Sequence, residues 1–148
     1  MSVQSQEKNM RKLANLLSYD LSCIWGERES GPNGDKKVFL NTGKIFLRAL
    51  AKDLGLEEYN VSANPGGIAV SGEITLIGMW GNSGIYIQLE QSCYDRERVL
   101  LYRTIRHIKD YTGSYNRFLR RRDLETMSYS DLLWVFTGEE GVLHGRAA

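Results

Sequence analysis

Ile68-Ala-Val-Ser-Gly-Glu-Ile-Thr-Leu-Ile-Gly-Met-Trp80, followed by Gly81-Asn-Ser-Gly84 and Ile85-Tyr-Ile-Gln-Leu-Glu90, decides the fold. Its even positions up to Trp80 are Ile68, Val70, Gly72, Ile74, Leu76, Gly78 and Trp80. Successive residues of a strand face opposite sides, so this series forms one apolar face of a strand spanning Ile68 to Trp80. After the turn at Gly81 to Gly84, Ile85, Ile87 and Leu89 alternate with Tyr86, Gln88 and Glu90, giving a second strand. Asn64-Pro-Gly-Gly67 has the composition of a type II turn and joins the long strand to a shorter one at about Tyr59 to Ala63. These segments make an antiparallel meander. Gly72 and Gly78 inside the long strand point to a bulge or bend, and hence to a curled sheet.

Upstream the period changes to that of a helix. Met10, Leu13, Leu17, Leu21 and Ile24 recur every three or four residues, which predicts a helix from about Gln6 to Trp25. A polar loop from Gly26 to Lys37 follows. A second helix is expected to start near Thr42, with Phe46 or Leu47, Leu50 and Leu54 as its stripe. Gly55 takes the left-handed position after its end, and Leu56 folds back on Leu50 or Ala51 in a Schellman motif.

Downstream, Arg98 to Arg106 reads as a fourth strand, with a helix from Arg96 to His107 as its rival. Lys109-Asp-Tyr-Thr-Gly-Ser-Tyr-Asn116 is rich in turn formers and reads as a loop. Ser128, with Asp131 three residues on, starts a short closing helix through Leu132, Leu133, Val135 and Phe136. The fold class is therefore α+β: two N-terminal helices packed on a curled antiparallel sheet of three to five strands, with a short C-terminal helix. The chain has 148 residues, 42% of them hydrophobic, and reads as a single domain spanning 1–148 with flexible ends at about 1–6 and 143–148.

Composition narrows the function. Between Arg96 and Arg122 lie nine Arg or Lys residues against two acids, Glu97 and Asp110. The chain as a whole carries 19 basic and 18 acidic residues, so charge of one sign is concentrated in this stretch. Tyr102, Tyr111, Tyr115 and Phe118 interleave with the cations, a mixture suited to phosphate contacts and base stacking. An acidic protein surface would be matched as well. Asp110, an acid inside a basic run, is expected to cap the turn or pair with Arg106 or Arg117.

Other classes are poorly served. No apolar run reaches 18 residues and the N-terminus lacks the apolar core of a signal peptide, so a membrane span is not expected and the expected location is cytoplasmic. Cys23 and Cys93 stand alone, and His107 and His144 are the only histidines, so neither a metal site nor a cofactor is expected. P-loop, HExxH, Cys-x-x-Cys and Gly-x-Ser-x-Gly motifs are missing. His107, Lys109 and Tyr111 have the composition that a metal-independent ribonuclease uses, with Arg103 and Arg106 as phosphate stabilisers. On a strand, however, Arg103 and His107 share one face and Arg106 takes the other. No catalytic residue is assigned on that basis.

Val99-Leu-Leu-Tyr-Arg-Thr104, the loop Lys109 to Asn116, and Asn64-Pro-Gly-Gly-Ile-Ala-Val-Ser-Gly72 resemble segments of short uncharacterised proteins of bacterial plasmids and phages. The resemblance covers roughly Gly43 to Leu119 and carries no functional residue across. It implies a context: small accessory proteins of mobile elements commonly bind nucleic acid or block a host nucleic-acid enzyme.

The leading expectation is a small non-catalytic binding protein whose surface from Arg98 to Arg122 holds nucleic acid without strong sequence specificity. Arg103, Arg106, Lys109, Arg117, Arg120, Arg121 and Arg122 would meet phosphates, Tyr111 and Tyr115 would stack, and Asn116 belongs to the same loop. The side chains of Arg120, Arg121 and Arg122 cannot all point the same way. The alternative is a protein-interaction module, such as a phage- or plasmid-borne inhibitor of a host nucleic-acid-processing complex, with an acidic surface as partner. The oligomeric state is left open by the sequence.

Overall fold

A computed structural model describes residues 2–22, 34–67, 69–92, 94–111 and 114–141; side chains are described as far as 137. Helices α1 (Val3–Leu16) and α2 (Asp35–Asp53) precede five strands, β1 (Glu58–Asn64), β2 (Glu73–Trp80), β3 (Ser83–Glu90), β4 (Arg98–Ile105) and β5 (Arg117–Arg120). Two helices, α3 (Arg121–Thr126) and α4 (Tyr129–Gly141), close the described chain. The strands pair antiparallel in sequence order, β1-β2-β3-β4-β5. The α+β class, the antiparallel meander and the strand at Arg98 are thus as the residue pattern predicts, and the rival helix at Arg96 does not form.

One face of the sheet is the core face. Val61, Leu76, Ile87 and Tyr102 lie side by side across β1 to β4. Ala63, Ile74, Leu89, Leu100 and Leu119 make the adjoining row across all five strands. Phe39, Phe46, Leu47 and Leu50 of α2 and Met10 and Leu13 of α1 are buried in the same core cluster. Gly43 lets α2 come close to β2: a Cβ there would sit 2.6 Å from Ile74 Cδ1. The opposite face carries Ser62, Thr75, Gln88, Leu101 and Phe118 in one row and Asn60, Ile77, Tyr86 and Arg103 in the next.

Two turns set the meander. Gly55, at φ 74°, ends α2 as a Schellman motif, its N–H on Lys52 O and the Leu56 N–H on Ala51 O. Gly81, at φ 70° beside Asn82 with negative φ, gives the II′ pattern that suits a two-residue hairpin between Trp80 and Ser83.

Several boundaries differ from the sequence expectation. The first helix stops at Leu16, not near Trp25; of that tail, residues 23–25 lie outside the described part. Leu17 and Leu21 are nonetheless buried, so their spacing reports burial rather than helix. Gln91 holds this stretch: its Oε1 accepts the Leu21 N–H at 3.0 Å, and its Nε2 donates to the carbonyls of Leu17 and Tyr19. The second helix starts at Asp35, because Phe39 extends its apolar stripe by just under a turn ahead of Thr42, which is buried within it. The expected polar loop therefore loses Asp35 to Lys37, and its residues 26–33 lie outside the described part.

The strand expected from Ile68 begins at Glu73, and Ile68 itself lies outside the described residues. Gly78 marks no bulge. β2 keeps unbroken register with both neighbours, and Gly78 instead makes room for Leu56 and Tyr59. The register shift lies in β4, between Arg98 and Leu100. Neither β5 nor α3 was expected from the pattern. Ser128 does cap α4, its Oγ accepting the Asp131 N–H at 3.0 Å.

Helices α1, α2 and α4 are tied by a buried polar chain. Gln6 Nε2 donates to Phe46 O and Tyr129 Oη, and Tyr129 Oη donates to Asp53 Oδ2 at 2.5 Å. Glu7 Oε2 accepts the Tyr129 N–H at the start of α4, where a carboxylate meets otherwise unpaired donors.

Candidate functional site

The basic stretch forms β4, β5, the loop between them and the start of α3, and the sheet distributes its cations over separate surfaces. Strand alternation places Arg103 and Phe118 on the face away from the helices and Arg117 on the helix side, opposite Tyr102. The Arg103 guanidinium lies over the Tyr86 ring, 5.1 Å from its centroid, and its buried NH1 has no hydrogen-bond partner. Arg98 stacks at 4.4 Å on Phe118, which is 40% exposed.

The connecting loop is anchored at both ends. Asp110, whose side chain is 1% exposed, accepts the backbone N–H of Arg106 at 3.0 Å and its Nε at 3.1 Å. That hydrogen bond, then the charge of Asp110, raises the Arg106 pKa. At the far end Ser114 Oγ accepts from the Thr104 N–H and hydroxyl, so the returning chain lies against β4. Between these anchors His107 and Lys109 are exposed, and residues 112–113 lie outside the described part.

Tyr111 and Tyr115 are 80% and 71% exposed. Arg117 lies over the Tyr115 ring at 5.0 Å and donates to its hydroxyl at 3.1 Å, which raises the Arg117 pKa. Asn116 is exposed beside them.

The arginine triplet divides as a strand-to-helix joint requires. Arg120 is exposed and shares Asp95 with Arg98, each 3.8 Å from its carboxylate. Arg121 turns inward, 22% exposed, with Nε on Glu97 at 3.0 Å and NH1 on Glu125 at 2.9 Å. Its cationic charge is spent within the fold. Arg122 is exposed on α3.

Of the residues named from the sequence, Arg106, Lys109, Tyr111, Tyr115, Asn116 and Arg117 therefore share one hairpin end. Arg103 and Arg120 face the outer sheet surface, and Arg121 is withdrawn. No hydrogen bond joins the side chains of His107, Lys109 and Tyr111 among the described residues. Tyr86, the ring under Arg103, was not named for the site from the sequence; Phe118 and Arg98 were named as part of the basic surface, but not their stacking on each other. The available signal was parity: Leu119 is core, so Phe118 on a strand must face outward.

Acidic groups gather at another end of the sheet. Glu73 and Glu90 lie directly opposite each other across β2 and β3. They line an open cleft of about 610 Å³ with Asp20, Asn64, Tyr94 and Arg96. Burial, and secondarily the charge of Glu73, raises the Glu90 pKa. Across the cleft Asp20 is lowered by hydrogen bonds from Ser22. No group of three or more His, Cys, Asp or Glu among the described residues could hold a metal ion, and none of their helices is long and apolar enough to cross a membrane. Comparison with protein-family models, curated proteins and solved structures finds no match to the chain.

Proposed function

We propose that the protein binds single-stranded nucleic acid, without strong sequence specificity, on its β4–β5 hairpin. The observation that carries this reading is the pairing of exposed rings with guanidinium groups on the two faces of one hairpin, Arg117 on Tyr115 and Arg98 on Phe118, with Tyr111 exposed on the connecting loop. Every base has a π face, so such platforms hold single strands whatever their sequence. Arg106, Lys109, Arg117, Arg120 and Arg122 supply exposed positive charge for the phosphates between stacked bases. Arg121 has no part in it. Sequence reading in a duplex needs a helix or a two-stranded ribbon free to enter a groove, whereas β4 is held inside the sheet between β3 and β5.

The test is fluorescence anisotropy with labelled thymidine and uridine oligonucleotides over a salt series. Affinity should fall steeply as salt rises, since several phosphates are neutralised. No binding at about 50 mM salt, or affinity indifferent to salt, rejects the proposal in favour of an acidic protein partner.

A further inference from the structure

The two edges of the sheet are built differently. β5 is four residues long, begins and ends with arginine, and sits beside the register shift in β4. Short length, charge and irregularity are the devices that keep an edge from pairing with another chain. β1 is neither short nor irregular, and its one charge is Glu58 at the first position. It runs seven residues, Glu58-Tyr-Asn-Val-Ser-Ala-Asn64, in unbroken register with β2, and contains no Lys, Arg or Pro. Among the described residues no strand pairs with its other side. Tyr59, Val61 and Ala63 pack against the core yet stay only half-buried at this edge.

We propose that this edge pairs antiparallel with β1 of a second copy of the chain, about a two-fold axis at Val61. Continuing a sheet requires residues of the same face to meet, so a symmetric antiparallel pairing of this strand must be centred on a residue. Only centring on Val61 pairs all seven positions.

The strand is self-complementary in that register. Tyr59 meets Ala63 of the second copy, a large ring against a methyl group, and Val61 meets Val61, all on the core face. Asn60 meets Ser62 on the outer face, an amide against a hydroxyl, each able to donate and accept. Glu58 meets Asn64, so no like charges are opposed. The pairing satisfies the edge backbone groups that no described strand pairs with, and it takes the partly buried apolar side chains out of water. The result is a ten-stranded sheet with the basic hairpins at its two far ends. It does not depend on the nucleic-acid reading.

The test combines sedimentation equilibrium with disulfide trapping of the full chain. The parent should show a concentration-dependent mass of twice 16.8 kDa. Opposed residues have Cα atoms about 4.5–5.5 Å apart, within disulfide range. Asn60→Cys mixed with Ser62→Cys should therefore cross-link under mild oxidation, more than either variant alone and more than the parent with its own cysteines. Both positions are exposed, so the fold is unaffected. The double variant Asn60→Lys, Ser62→Lys opposes two pairs of like charges and should weaken the dimer about tenfold. A chain that stays at 16.8 kDa at all concentrations overturns the proposal, as does trapping by each single variant alone to the level of the mixture.

Discussion

Replacing Tyr111 or Tyr115 by alanine separates a binding role from a packing role, because both rings are mostly in solvent. At 80% and 71% exposure, only a fifth to under a third of each side chain is covered. A tyrosine buries about 150–250 Å² when fully packed, so Tyr111 loses at most about 50 Å² of cover and Tyr115 about 70 Å². At about 25 cal/mol per Å² that is about 1–2 kcal/mol, an upper bound, or at most about 3–7 °C in melting temperature for a chain of this size. Stacking of a base, by contrast, is worth about 1–3 kcal/mol per ring, a loss of about 5- to 150-fold in affinity for each alanine variant. Tyr115→Phe retains the ring but loses the hydroxyl that Arg117 donates to. It should bind within a few-fold of the parent, on the order of the net worth of one exposed hydrogen bond. The assay is anisotropy with a labelled oligonucleotide at fixed salt, beside a thermal melt of each variant. Alanine variants that bind like the parent, or that melt many degrees lower while their folded fraction binds unchanged, refute the reasoning and place the site elsewhere.

Arg121→Ala should show the converse. Loss of its bonds to Glu97 and Glu125 should cost about 1 kcal/mol of stability, while affinity for the oligonucleotide and its salt slope stay as in the parent. A drop in slope would show Arg121 on the phosphates. Glu90→Gln should stabilise the fold at neutral pH by about 0.5 kcal/mol, by removing a half-buried charge opposed to Glu73. Burial raises the Glu90 pKa in the folded state, so the folded chain holds that proton more tightly. Its contribution to stability is therefore lost as pH rises from the ordinary glutamate value through the raised one. Thermal melts across that window should show a smaller fall in the variant, and a variant less stable than the parent at neutral pH contradicts this. Gly43→Ala puts a Cβ 2.6 Å from Ile74 Cδ1 and should destabilise by about 1–3 kcal/mol in chemical denaturation; unchanged stability would mean that α2 stands further from the sheet.

How much could be read in advance depended on whether the signal was local. Alternation from Ile74 to Leu89 located β2 and β3, because one sheet face is core and the other is not. The Schellman end at Gly55 and the cap at Ser128 were legible for the same reason: their partners lie within a few residues. The end of α1 was not, since Gln91, some 70 positions away in sequence, captures the carbonyls that another helical turn would have used. β5 was missed because four residues cannot show a period, and its pairing depends on Leu119 meeting Leu100. In the candidate site, charge and aromatic content were visible, and so was the pairing of Asp110 with Arg106, four residues apart. The withdrawal of Arg121 was hidden, because Glu97 reaches it only through the fold.

The central claim, that the β4–β5 hairpin is the nucleic-acid surface, is tested most directly by backbone amide NMR of the labelled chain titrated with a short single-stranded oligonucleotide. The account predicts shifts concentrated at Arg98 to Arg106, at Lys109 to Tyr111 and at Ser114 to Arg120, with Glu73, Glu90 and the α1–α2 core unmoved. Shifts centred on the cleft at Glu73 and Glu90, or none at low salt, would contradict it.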